Sequence, residues 1–145
     1  MALQIESIDL VVCNLYPFKK VLQSGGDFDS LIENIDIGGP TMIRAAAKNF
    51  KYVTTLTSAD DYIDFIEHVK SNRLGTTYDF RQQLMTKAFN HTADYDALIA
   101  ETMDASIGVH SKRLAFTNGK ELRYGENNHQ SALSYDQITD QSGLS

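Results

Sequence analysis

Residues 36–48 read Asp-Ile-Gly-Gly-Pro-Thr-Met-Ile-Arg-Ala-Ala-Ala-Lys. Pro40 suits the first position of a helix, where the N–H it lacks would have had no partner. The alanine-rich run from Thr41 to Asn49 has high helix propensity. On the N-terminal side, Ile8 to Cys13 (IDLVVC) is a near-continuous apolar run rich in branched side chains. A strand buried on both faces of a parallel sheet has this composition. On the C-terminal side, Tyr52 to Leu56 (YVTTL) predicts a second strand. The fold class is therefore α/β.

Beyond this nucleus, Pro17 ends regular pairing after the first strand. Asp27 or Asp29 can cap a short helix carrying Leu31, Ile32 and Ile35. Ser58 to Asp61 resembles a capping box, and Tyr62, Phe65, Ile66 and Val69 form the apolar stripe of a surface helix. After a turn at Gly75, a long helical region runs from Thr77 to about Met103. Phe80, Leu84, Ala88, Tyr95, Leu98 and Ile99 mark its buried side, with a break expected near Asn90. Short strands are expected at Arg113 to Phe116 and Ser131 to Tyr135, around an Asn118-Gly119 turn and the polar segment LRYGENNHQ. A boundary is placed at residues 105 to 112, and the tail from Gln137 is expected to fray.

Composition bounds the chemistry. The chain has 145 residues, 42% of them hydrophobic and 22% charged, which excludes collagen-like and wholly disordered readings. One cysteine, Cys13, excludes an internal disulfide framework and a multi-thiolate metal site. The formal net charge of −6 provides no global field for nucleic acid or an anionic membrane. No apolar run approaches the roughly 20 residues of a membrane span. MALQIESIDL lacks the basic n-region of a secretory signal, so a cytoplasmic location is expected.

A Gly-Gly-Pro turn that opens a helix presents unpaired backbone amides at the positive end of the helix dipole, suited to an anion or oxyanion. Thr41, Arg44 and Lys48 share one helical face, and Asp36 precedes the turn. One acid, free amides, an arginine and a lysine are thus expected to converge on one ligand. The same residues equally suit a plain strand-to-helix connection with a solvated face. Asn14 and Tyr16 follow the first strand, where ligands of open α/β sheets bind, although Tyr16-Pro17-Phe18 can also plug a core. Cys13 reads as a buried, inert thiol. His68 is expected on an exposed helix face. His91 with Asp94 and Asp96 lacks metal-site spacing and reads as a cap or hinge.

Four stretches in order, VVCNLYPF (11–18), ENIDIGGPTMIRAAAKN (33–49), TKAFNHTADYDALIA (86–100) and LRYGENNHQ (122–130), together resemble the bifunctional purine-biosynthesis family joining IMP cyclohydrolase to AICAR transformylase. The resemblance covers about residues 5 to 135. It implies a partial methylglyoxal-synthase-like domain over residues 1–105, and the linker and opening strands of the transformylase over 106–145. The implied reaction is closure of formyl-AICAR to IMP with loss of water, needing no cofactor. 10-Formyltetrahydrofolate is the implied co-substrate of the transformylase, whose pocket is largely absent from this chain. By position, Lys48 matches the family's proton donor or acceptor, Asp36 the acid on the carboxamide, and Tyr16 a residue near the oxyanion. Cys13, Asn14, Ile37, Gly38 and Gly39 match nucleotide contacts, and Arg44 is placed to tune Lys48. Arg123, Tyr124 and His129 match the AICAR site of the second domain. The implied partners are purine nucleotides (formyl-AICAR, AICAR and IMP) and, for the complete protein, a second copy in a homodimer; no nucleic acid or membrane is implied.

The chain departs from the family pattern as well. It lacks the upstream βα units with their phosphate loop and second lysine, and Asn128 stands where proline is usual. It is expected to be a fragment of weak or no activity alone. Two other readings stand beside this one: a non-catalytic assembly module, and a generic nucleotide-phosphate binder.

Overall fold

The computed structural model describes residues 6–123 and 131–137. The chain divides into two compact units, Met1–Met103 and Asp104–Ser145.

In the first unit, strands β1 (Leu10–Val12) and β2 (Thr54–Leu56) pair in parallel, Leu10 opposite Thr54 and Val12 opposite Leu56. The pairing runs one residue further, since the Cys13 amide donates to the Leu56 carbonyl at 3.0 Å. Between the strands lie α1 (Phe18–Gln23), α2 (Phe28–Glu33) and α3 (Gly38–Lys48). After β2 come α4 (Asp61–Ser71) and the 29-residue α5 (Tyr78–Ser106). This is a mixed α/β unit with a small parallel sheet.

The apolar face of α3 explains its place. Ile43, Ala46 and Ala47 are buried. Ile43 and Ala47 form a core with Ala88 of α5, flanked by Cys13, Leu15, Met85 and Phe89. Arg81 of α5 locks the far end of α3: its guanidinium donates to the carbonyls of Phe50 and Lys51, each at 2.8 Å, and to the Thr76 carbonyl.

Several expectations are corrected. IDLVVC is not a strand buried on both faces. The strand itself is only Leu10–Val12, and Leu10 and Val12 remain 38% and 49% exposed. Among the described residues, β1 pairs with one strand, β2, which leaves its other edge open. β2, by contrast, is buried throughout. Phe18 plugs the core with no exposure, while Tyr16 lies outside it. The helix α1 that Phe18 opens escaped the sequence, because Pro17 reads only as a strand stop.

Asp27 caps α2, its carboxylate accepting from the Ser30 amide at 2.9 Å. Ser58 does not form a capping box with Asp61. Its hydroxyl accepts from the Asp60 amide at 3.2 Å, and Asp61 instead pairs with Lys87. His68 is half-buried rather than fully solvated: its ring stacks on Phe80 at 4.0 Å, and its Nε2 accepts from the Thr77 amide at 3.1 Å. The turn before α5 places Arg73 and Leu74, rather than Gly75, in the left-handed region. α5 runs through Asn90 without a break, since the Asn90 side chain turns back to the Thr86 carbonyl.

The second unit holds an antiparallel pair, β3 (Phe116–Leu122) and β4 (Ala132–Gln137). Asn118-Gly119 does not make a turn. It lies within β3, where the register shifts between Thr117 and Lys120. A side chain on Gly119 would strike the Tyr135 ring, its Cβ only 2.8 Å from Cε1. Among the described residues, no helix is long and apolar enough to cross a membrane.

Candidate functional site

The parallel strands end at Cys13, and the residues beyond that end meet the loop entering α3. Asp36 joins the two. Its Oδ1 accepts from the Gly39 amide at 2.7 Å, and its Oδ2 accepts from the Tyr16 amide at 3.2 Å. One carboxylate therefore fixes both the segment after β1 and the first turn of α3. The assigned helix opens at Gly38, preceded by Ile37 in helical conformation, so Asp36 does the work of a cap. Pro40 sits two positions later than expected, still within the first turn, where its missing N–H costs little.

Gly39 is required here. A Cβ at this position would lie 2.5 Å from Asp36 Oδ2 and 2.7 Å from Leu15 Cδ2. The Gly39 carbonyl takes a long contact of 3.9 Å from the Cys13 thiol. Burial, and after it the negative charge of Asp36, push the Cys13 thiol above its ordinary pKa. The reading of Cys13 as an inert thiol fits that environment.

The free-amide expectation is corrected at Gly39, whose N–H is already taken by Asp36. A carboxylate at the positive end of the helix also offsets its dipole. Phosphate would meet a like charge at this position. A neutral group with N–H donors, such as a carboxamide, suits it better, because each carboxylate oxygen can accept a further hydrogen bond. Ile37 and Gly38 are exposed at the rim, as is Asn14.

Arg44 and Lys48 do not converge with Asp36. The Arg44 guanidinium lies over the Phe89 ring, 5.3 Å from its centroid. Lys48 is the last residue of α3 and is exposed. At 1.5 Å per residue, the helix separates it from Gly38 by roughly 15 Å. Among the described residues, no hydrogen bond or ion pair joins Lys48 to Asp36. The helical spacing correctly puts Thr41, Arg44 and Lys48 on one exposed face, but strings them along its length.

In the second unit Arg123 is exposed directly after β3. Tyr124 and His129 lie outside the described residues. Among the described residues, no cluster of three metal-ligating side chains occurs, and none forms around His91.

Sequence reasoning missed Tyr95. Its hydroxyl, on α5, accepts from the Asp36 amide at 2.8 Å and donates to the Asn34 carbonyl at 3.2 Å. Helical periodicity marked Tyr95 only as a buried position. The available signal was chemical: a buried phenol needs a hydrogen-bond partner.

Comparison with known proteins bears on this arrangement. Residues 46–145 match the family described as AICARFT/IMPCHase bienzyme. The bifunctional purine biosynthesis protein PurH of Rhizobium rhizogenes is 50% identical over 134 residues, which are 90% of this chain and 25% of that protein. The protein of the same name from Persephonella marina is 43% identical over 146 residues, 97% of this chain and 28% of its own length. The chain thus spans about a quarter of the length of these relatives. A solved structure described as the crystal structure of ForH superposes with a TM-score of 0.56 at 35% identity, covering 73% of this chain and 55% of that one.

Proposed function

This chain belongs to the AICARFT/IMPCHase bienzyme family, and from that premise we propose that its first unit carries part of an IMP cyclohydrolase site. Residues 1–105 are the later portion of a methylglyoxal-synthase-like domain, and 106–145 the linker and opening strands of the transformylase. The complete protein is a homodimer acting on formyl-AICAR, AICAR and IMP in purine biosynthesis.

In ring closure, the carboxamide nitrogen of formyl-AICAR attacks the carbon of its own formamide. A C–N bond forms, the formamide oxygen takes up protons, and its C–O bond breaks as water departs. No electrons pass to a second molecule. Both reacting groups belong to one substrate, so the protein's task is to select the reactive conformer and to move protons. Asp36 accepts from the carboxamide N–H, orienting the nitrogen toward the formamide. Tyr16 stands near the developing oxyanion, and Cys13, Asn14, Ile37, Gly38 and Gly39 line the purine's approach.

Lys48 is the proton donor to the leaving oxygen. Because the attacking nitrogen and the leaving oxygen meet on one carbon, this role requires the Lys48 side chain to reach back along α3 toward Asp36. The formyl-transfer site, with Arg123, Tyr124, His129 and 10-formyltetrahydrofolate, belongs to the complete protein.

The single observation supporting this reading is the Asp36 carboxylate, held between the Tyr16 and Gly39 amides within a family-matched chain. Titration with millimolar IMP, followed by calorimetry and by the Tyr16 and Gly39 amide resonances, tests it. The expected result is weak, saturable binding that Asp36→Asn abolishes. A folded chain showing neither heat nor resonance shifts would overturn it. ADP binding as tight as IMP would instead favour the generic phosphate binder.

A further inference from the structure

We propose that Tyr95 is the positioning residue of this site, its phenol setting the loop before α3 so that the Asp36 carboxylate stands between the Tyr16 and Gly39 amides. The inference rests on the cyclohydrolase reading for its functional consequence, though not for its geometry.

Four residues, 34 to 37, connect α2 to α3. One oxygen ties two of them. Tyr95 Oη accepts from the Asp36 N–H at 2.8 Å and donates its only proton to the Asn34 carbonyl at 3.2 Å. The peptide flanking Ile35 is thereby pinned at both ends from a helix some sixty residues away in sequence. The ring itself is steadied by Phe18, which meets it edge-on at 6.4 Å between centroids. Phe18 is fully buried, so this support comes from the core.

The two Tyr95 contacts fix the backbone of Asp36, and the two carboxylate contacts then fix its side chain. No rotation of Asp36 about its backbone survives without breaking one of the four. The bond to the Asn34 carbonyl requires an unionised phenol, and burial raises the Tyr95 pKa above its ordinary value; the Asp36 amide bond opposes that shift, and the charges of Asp36 and Asp96 add to it. α5 therefore does more than cover α3: it dictates where the acid of the site points.

Tyr95→Phe removes the oxygen while keeping the ring against Phe18. Amide hydrogen exchange in this variant should accelerate roughly tenfold at Asp36, the scale of one ordinary hydrogen bond. Ala46 and Ala47, inside α3, should keep their wild-type rates. IMP binding should weaken by a similar factor, with the Gly39 amide resonance displaced in the free protein. Unchanged exchange at Asp36 would overturn the proposal, as would equal acceleration at Ala46 and Ala47, which marks a purely structural role.

If IMP binds wild type and variant equally, positioning is refuted while the cyclohydrolase reading stands. If IMP binds neither while Asp36 alone is accelerated, the functional reading fails and the tether stands. Should the variant not fold, the wild-type chain still decides: rapid exchange at the Asp36 amide would refute the tether.

Discussion

Gly38 and Gly39 are adjacent in the chain and opposite in their tolerance for a side chain. Nothing lies within 4 Å of a Cβ built on Gly38, whereas one on Gly39 collides with the Asp36 carboxylate and Leu15. Gly38→Ala should therefore be neutral or stabilising by up to about 1 kcal/mol, since alanine suits a helix better. Gly39→Ala should cost about 1–3 kcal/mol, because the acid must leave its two amides. It should abolish IMP binding as well. Urea denaturation of the pair, with IMP titration of each, checks both statements. The two glycines look alike in sequence, because what separates them is a contact with residues 36 and 15.

At the scale of elements, α3 is held by its apolar stripe and α2 by its cap. Ile43 is fully buried against Ala47 and Ala88. Ile43→Ala should lower stability by about 2–4 kcal/mol, measured by chemical denaturation, because the alanines around it are too small to close the cavity. The cap of α2 titrates. The hydroxyl of Ser30, and after it the Ser30 amide, hold the Asp27 carboxyl below its ordinary range. A lowered folded-state pKa means that the unfolded chain binds more protons in acid. The cap's contribution is then present above about pH 3.9 and is lost as pH falls through the lowered value. Asp27→Asn should flatten the pH dependence of stability in that acid window, with little change at neutral pH. Asp104, lowered chiefly by the Ser111 hydroxyl and also by Arg113, retains its own acid response in that variant.

Element by element, legibility followed the range of the interaction. The capping of α2 and the helical state of α3 depend on residues within one or two turns, and both were readable. The straightness of α5 was obscured by Asn90, a residue that favours turns until its side chain satisfies itself one turn back. His68 and Arg81 could not be read at all. Their partners, Phe80 and Thr77 in one case and Phe50, Lys51 and Thr76 in the other, come together only when α4, the end of α3 and the start of α5 are folded.

For the molecule as a whole, the exposed apolar side chains matter most. Ile8, Leu10 and Val12 line the first strand region, and Phe116, Leu122, Leu133 and Tyr135 stand exposed on the antiparallel pair. Two-stranded sheets with uncovered apolar surface invite further pairing. The chain on its own should self-associate as concentration rises. Leu10→Thr combined with Val12→Thr should shift it toward monomer in analytical ultracentrifugation, while keeping strand-compatible side chains. Unaltered association in the double variant would move attention to the second unit.

The α/β character, the capped start of α2, the helix that follows Gly-Gly-Pro and the family membership were all present in the order of residues alone. Each depends on short-range propensity, periodicity or long matched motifs. Tertiary structure alone decided that Asp36 reaches the Tyr16 amide, that the Arg44 guanidinium lies over Phe89, and that the Tyr95 hydroxyl bonds the loop between α2 and α3. Those facts are distances between residues remote in the chain, and a hydrogen bond exists only once folding has brought its two ends within about 3 Å.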